Sequence, residues 1–399
     1  MWVMVKAHSP EPKVVEELLS RGVEHIYPSK EFLQQKLLKG GRARLYFGVD
    51  PTGPTLHLGH ATILLKLKKL QALGHEIILL IGDFTGMIGD PTDKSAARTR
   101  LTHKEVLHNA KQYKKQASHF LSFSGKNPAK LLYNAAWLSK LKFEEVLDLA
   151  AHFTTQQLLE RDMFQARLRD GKPIYLHEFL YPLMQGYDSV AMKVDGEIGG
   201  NDQTFNMLAG RTLIKQVAGK EKFVIAMKLL VDPSGKKMGK TEGNMVTLED
   251  SPAQCFGKVM SWPDEMLWPG FEIATDVAVE EIEKIKKMHP KDAKMRLARE
   301  IVTLLTDERA AEQAEKEFIK TFREKKAPDS IPEIQVSKDT PLVFALAGQL
   351  GSNSRARQYV QQGAISEIGG EKILDPFFPI THDIDLRIGA HEFVRIKVI

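Results

Sequence analysis

One stretch, residues 44–81, constrains the fold more than any other. Arg44–Val49 reads as a strand, and the breaker cluster Asp50-Pro51-Thr52-Gly53-Pro54 ends it. A helical period follows over about 59–73, with Ile63, Leu64, Leu67 and Leu70 on one face. Gly74 stops the helix, and Glu76–Ile81 is an almost unbroken apolar run, the pattern of a strand covered on both faces. Two strands joined through one helix form a βαβ unit, whose strands run parallel. The chain is therefore expected to be α/β, with a parallel sheet.

Alternation continues beyond this unit. Helix is expected over 103–120, 143–170, 177–192 and 202–218, and strand at Lys130–Tyr133 and 223–226. Past Pro252 strand signals vanish until about 330, and helical periods dominate at 278–288, 291–306 and 308–326. With 399 residues there is chain enough for several cores. The expected division is an N-terminal helical segment at 1–40 (helices at 14–19 and 32–38) and the sheet domain at 41–228. An α-helical domain at 229–326, a Pro-containing linker at 327–338 and a small α+β module at 339–399 complete it.

Composition narrows the partners. The 56 basic and 51 acidic side chains leave a net charge of +5, which permits a nucleic-acid partner without demanding one. One cysteine, Cys255, excludes a disulfide framework or a cysteine zinc site within one chain. No apolar run approaches the roughly 20 residues of a membrane span. Lys6, His8, Glu11 and Lys13 interrupt the N-terminus in a way no signal peptide does. A cytoplasmic protein is expected.

Two short strings carry chemistry. His57-Leu58-Gly59-His60 opens the first helix, putting two imidazoles at its positive end, where free backbone N–H groups attract phosphate. Lys236-Lys237-Met238-Gly239-Lys240-Thr241-Glu242-Gly243-Asn244 is a glycine-containing cationic loop suited to polyphosphate, without the spacing of a P-loop. Each alone is ordinary surface. In this order on an α/β chain they resemble the HIGH and KMSKS signatures of class I aminoacyl-tRNA synthetases. Leu58 replaces the usual isoleucine, and Gly239-Lys240-Thr241 the usual Ser-Lys-Ser.

Four further segments narrow the resemblance: 45–52 (LYFGVDPT), 82–91 (GDFTGMIGDP), 181–188 (YPLMQGYD) and 199–203 (GGNDQ). Over about 30–399 the chain is similar to bacterial tyrosyl-tRNA synthetases, which implies that the α/β domain is Rossmann-like. Tyr181, Gln185 and Asp188 independently fall on one helical face, a polar stripe that is costly to bury unless a polar ligand meets it. The resemblance implies that Asp188 and Tyr46 hold a phenol, that Tyr181, Gln185 and Asp90 take an ammonium, and that Gln203 lies near the reacting carboxyl. It assigns ATP to Gly48, Asp50, His57, His60, Gly200, Asp202, Leu229, Leu230 and Lys240. Lys94, Arg98, Lys237, Lys240 and Thr241 join the two histidines on the transition state. ATP, with Mg2+ and no dedicated protein metal site, is the implied co-substrate, and a homodimer the implied assembly.

For tRNA, the cations Lys284, Lys286, Lys287, Lys291, Lys294, Arg296 and Arg299 gather against a single acid, Asp292, across 284–299. The end of the chain, with Arg355 and Arg357 in NSRARQYVQQG (353–363), is similar to the αL RNA-binding module, its 366–370 turn one residue longer than usual. A nucleotidyltransferase of related fold would have no reason to carry these RNA-facing parts. A tryptophanyl enzyme would lack the 181–188 stripe, and an RNA-binding derivative without catalysis would have lost a signature.

Overall fold

The computed structural model describes residues 10–90, 101–232, 245–323, 331–368, 370–389 and 392–399. Two compact units divide them. One is built on the chain before residue 239 with Thr247–Glu249 and Trp268–Ala274, the other chiefly on Asp250–Leu267 and Thr275–Ile399.

The first unit holds a six-stranded sheet of β1 (Val23–Tyr27), β2 (Arg44–Val49), β3 (Glu76–Ile81), β4 (Lys130–Tyr133), β5 (Gly196–Gly200) and β6 (Phe223–Met227), in the order β1-β6-β5-β2-β3-β4. All neighbours are parallel except β1, which pairs antiparallel with β6. The expected βαβ unit is β2, helix Leu58–Ala72 and β3, in register from Arg44 opposite Glu76 to Val49 opposite Ile81. Leu45, Ile77–Ile81, Val224 and Ile225 are buried, which is why these strands read as continuous apolar runs. From β2 the chain winds one way through β3 and β4; from β5 it winds the other way to β6. The crevice at the carboxyl ends of β2 and β5 is thus a topological switch point, where open α/β sheets bind ligands.

Three expectations need correction. Segment 1–40 is not only helical: between helices Pro12–Ser20 and Lys30–Leu38, β1 joins the sheet, its Ile26 opposite Ile225. Its polar members Glu24 and His25 sit on an edge strand, so the alternation was too weak to read. The glycine-rich β5 was also missed. Gly196 is required there because a Cβ would lie 2.1 Å from the Phe223 ring. Finally, the expected linker 327–338 contains β7 (Glu333–Val336), which runs parallel to the C-terminal strand.

In the second unit, helices Pro252–Met260, Pro290–Leu305 and Glu308–Arg323 pack together around Phe256, Leu297, Ile301, Val302, Ala311 and Ala314. The C-terminal module has its own core, with Leu342, Leu346, Val360, Leu386, Val394 and Ile396 fully buried. There β8 (Thr340–Pro341) pairs with β10 (Pro379–Ile380), while β7, β9 (Ile365–Glu367), β11 (Ile384–Ile388) and β12 (Glu392–Val398) form a sheet of order β7-β12-β11-β9. Helix Asn353–Gln361 packs in this module through Ala356 and Val360.

Candidate active site

His57 is the N-cap of helix Leu58–Ala72. Its backbone N–H donates to His60 Nδ1 at 3.1 Å, and the two rings lie against each other at a 34° tilt with centroids 3.8 Å apart. Because His60 Nδ1 accepts, a neutral His60 ring carries its proton on Nε2. Gly59 lets the His57 ring fold over the helix start: a Cβ there would sit 3.0 Å from His57 Cε1. Backbone bridging of His57 with Thr247, and of Leu248 N–H to the Leu56 carbonyl at 2.9 Å, ties the residues after the lysine-rich string to this end of the helix. On the other side, a Cβ on Gly200 would lie 2.9 Å from Leu229 and 2.4 Å from Asp202 Oδ1. Gly200, Asp202 and Leu229 therefore close together at the end of β5. Lys94, Arg98, Lys237, Lys240 and Thr241 lie outside the described residues.

Helix Leu176–Ala191 carries the polar stripe. Asp188 is buried, and both its oxygens accept: Oδ1 from Trp137 Nε1 at 2.7 Å and Oδ2 from Asn134 Nδ2 at 3.2 Å. Asn134 directly follows β4. Its own oxygen accepts from the Phe84 N–H at 2.9 Å, which commits the amide nitrogen to Asp188 and to Thr85 Oγ1. Burial pushes Asp188 well above the ordinary carboxylate range; the Trp137 and Asn134 hydrogen bonds oppose that shift, and the charges of Glu197 and Asp50 add to it. Tyr46, fully buried on β2, shares a 3.0 Å hydrogen bond with Ser189 Oγ. Desolvation, then Glu197 and Asp188, raise its hydroxyl well above the usual value, so it remains protonated.

The other members of the stripe present acceptors. Tyr181 donates its hydroxyl to Asp50 Oδ2 at 2.8 Å, which leaves its oxygen able to accept. Burial, then Asp50 and Asp90, hold that phenol protonated. Gln185 Nε2 donates to Glu197 Oε1 at 3.0 Å, leaving its amide oxygen. Asp90 accepts from Gln203 Nε2 at 2.6 Å and faces Arg161 Nη2 at 3.6 Å. Asp50 also accepts from Thr85 Oγ1 at 2.7 Å, and Gly82 must lack a Cβ because one would overlap Asp50 at 1.9 Å. The Asp50 carboxylate, in the loop after β2, thus touches both the segment after β3 and the polar helix.

Sequence reasoning missed Thr85, Asn134, Trp137, Arg161, Ser189, Glu197 and Lys222. Thr85 lay within the 82–91 segment without a role, and Glu197 left a trace as a carboxylate amid glycines and Ile198. Cys255, by contrast, is buried with its thiol pushed up to about 12, and carries no reactive role. Among the described residues no group of three or more His, Cys, Asp or Glu side chains converges to hold a metal.

The basic residues of 284–299 are mostly engaged within their own unit. Lys284 meets Glu281, Lys286 meets Glu283, and Arg296 meets Glu300. Lys294 binds Asp264 and the Trp262 carbonyl, and Arg299 binds Glu312 at 3.0 Å beside Glu308 and Glu315. Lys287 and Lys291 are exposed and, among the described residues, form no ion pair. Arg355 and Arg357 are exposed on helix Asn353–Gln361, stacked over Tyr359 and Phe377.

A family model for class I tRNA synthetases (W and Y) matches residues 38–323. The chain is 42% identical to the tyrosine–tRNA ligase of Carboxydothermus hydrogenoformans, over 95% of this chain and 97% of that protein. It is 40% identical to the tyrosine–tRNA ligase of Thermotoga maritima, over 98% of each. Among solved structures, the C-terminally truncated mitochondrial tyrosyl-tRNA synthetase of Coccidioides posadasii aligns with a TM-score of 0.62 at 27% identity, covering 76% of this chain and 91% of that one. The corresponding Aspergillus nidulans enzyme gives 0.66 at 23% identity, covering 77% and 94%, a likeness of fold.

Proposed function

The chain belongs to the class I tRNA synthetases of the tryptophan and tyrosine branch, and from that membership we propose that it ligates L-tyrosine to tRNA(Tyr). ATP and tyrosine give tyrosyl-adenylate and diphosphate; the tyrosyl group then passes to the 3′-terminal adenosine of the tRNA. In the first step the tyrosine carboxylate attacks the α-phosphorus of ATP and diphosphate leaves with the electron pair. No covalent enzyme intermediate is needed, so catalysis consists of alignment and stabilisation of charge on the phosphates.

The observation that carries this reading is the buried carboxylate of Asp188, held by Trp137 and Asn134 on the same helix as Tyr181 and Gln185. An acceptor at one end matches a phenol; acceptors at Tyr181, Gln185 and Asp90 match an ammonium. Gly48, Asp50, Gly200, Asp202, Leu229 and Leu230 hold the nucleoside. His57 and His60 meet the phosphates from a helix N-terminus, joined by Lys94, Arg98, Lys237, Lys240 and Thr241. Mg2+ travels with ATP, carried by phosphate oxygens.

The tRNA lies along the helical domain and the C-terminal module, with exposed Lys287, Lys291, Arg355 and Arg357 as its phosphate contacts and Lys284, Lys286, Lys294, Arg296 and Arg299 supplementing them. Homodimerisation is supported by large exposed apolar side chains: Phe143 and Leu147, one turn apart on helix Phe143–Ala150, and Leu176. Among the described residues no helix is long and apolar enough to cross a membrane, which agrees with a cytoplasmic enzyme.

The test is amino-acid-dependent exchange of labelled diphosphate into ATP. Exchange should require tyrosine and be negligible with tryptophan; the reverse preference would overturn the reading.

A further inference from the structure

Lys222 is a charged residue with no surface. It immediately precedes β6, its side chain is fully buried, and its ammonium donates to Glu197 Oε2, to Ser189 Oγ at 2.7 Å and to the Met207 carbonyl at 3.1 Å. All three N–H bonds are used. The fold reserves room for this cluster: a Cβ on Gly210 would lie 2.5 Å from Lys222 Nζ and 2.6 Å from Ser189 Oγ. A buried ion pair is a poor device for stability alone, because desolving both ions offsets their attraction and apolar replacements often serve as well. Burial accordingly lowers the Lys222 pKa, with Glu197 opposing the shift.

The neighbours of this cation are what distinguish it. Glu197 uses its second oxygen to accept from Gln185, at the ammonium end of the amino-acid site. Ser189 shares its hydrogen bond with Tyr46, at the phenol end. With the ammonium occupying one lone pair of Ser189 Oγ, the serine O–H is polarised and becomes the better donor of that pair.

We infer that Lys222 is a positioning residue for tyrosine recognition, orienting Tyr46 through Ser189 and Gln185 through Glu197. The inference rests on the assignment of Tyr46 and Gln185 to the tyrosine site. The resulting chain has one direction. Lys222 donates to Ser189 and Ser189 to the Tyr46 oxygen; the Tyr46 O–H, which faces Glu197 in the free site, turns to the substrate phenol oxygen, whose own O–H goes to Asp188. One buried cation then serves both ends of the substrate, and with phenylalanine the Tyr46 hydroxyl gains no phenol partner.

Diphosphate exchange by the full chain, with tyrosine, phenylalanine and ATP each varied, tests this. Lys222→Met should raise the tyrosine KM and narrow the tyrosine-to-phenylalanine kcat/KM ratio by about tenfold each, the weight of one charge-assisted hydrogen bond. The ATP KM should stay within about twofold. Ser189→Ala, which leaves the ion pair in place, should narrow the ratio similarly. The pair Lys222→Met with Glu197→Gln removes both charges; it should recover the wild-type melting temperature yet keep the narrowed ratio. Recovery of the ratio in that double variant, or an unchanged ratio in Ser189→Ala, would reduce Lys222 to a counter-ion and overturn the inference. A wild-type protein showing no tyrosine-dependent exchange would instead overturn the pocket assignment, and this inference with it.

Discussion

Replacing Trp137 by phenylalanine removes one N–H and keeps most of a ring packed against the buried cluster that includes Tyr46 and Ile78. The lost donor is the 2.7 Å hydrogen bond to Asp188 Oδ1. Hydrogen bonds to charged groups are worth about 1.5–3 kcal/mol net, and 1.36 kcal/mol is about one pKa unit. Asp188 should therefore titrate still higher in the variant. Burial already holds this carboxyl above its ordinary range, with Glu197 and Asp50 as the nearby acids and Asn134 as the remaining donor.

The sign follows from the role. Only ionised Asp188 accepts the phenol proton, so tyrosine capture is complete above the raised pKa and falls about tenfold per pH unit below it. Because kcat/KM reports the free enzyme, its acid limb for tyrosine should lie above the usual carboxylate range of about 4. In Trp137→Phe the limb should move up, so that on it kcat/KM for tyrosine falls about 10- to 100-fold below that of the wild type at the same pH. Well above the limb the two proteins should agree within a few-fold. Diphosphate exchange at saturating ATP between pH 5.5 and 8.5 measures this. A limb in the same place for both proteins, or an equal displacement of the ATP profile, would refute the reasoning.

His57→Ala and His60→Ala should each slow adenylate formation in single-turnover experiments while equilibrium tyrosine binding stays within about threefold, since their partner is charge that develops on the phosphates. Lys287→Ala and Lys291→Ala should each weaken tRNA binding and lessen the slope of log K against log salt by roughly one, as measured by filter binding. Arg299→Ala should change that slope by much less than one and lower the melting temperature, because Arg299 already ties Glu308, Glu312 and Glu315.

What could be read from sequence was whatever one element's period carries. The β2–helix–β3 unit emerged to within a residue because a buried parallel strand is a run of apolar side chains and Gly74 marks a helix end. Tyr181, Gln185 and Asp188 emerged because they share one helix face. Asn134 and Trp137 did not: they lie 54 and 51 positions from Asp188, and only the sheet order brings the end of β4 to that helix. Lys222 follows Lys220 and Glu221 and reads as surface charge; its burial is decided by Glu197, 25 residues away. β7 hid in an apparent linker because its Ile334 and Val336 gain partners only from β12, more than fifty residues later. Contacts between distant segments leave no local pattern, and the polar ones decide this site.

The central claim is that Asp188 reads the substrate phenol, and the tyrosine-to-phenylalanine ratio of kcat/KM in Asp188→Ala tests it directly. Both constants come from the same protein, so any loss of folded fraction cancels. Removing a charged acceptor for one hydroxyl should cost tyrosine about 1.5–3 kcal/mol more than phenylalanine, narrowing the ratio by about 10- to 100-fold. A ratio equal to that of the wild type would mean that the buried carboxylate does not meet the phenol, and would contradict the account.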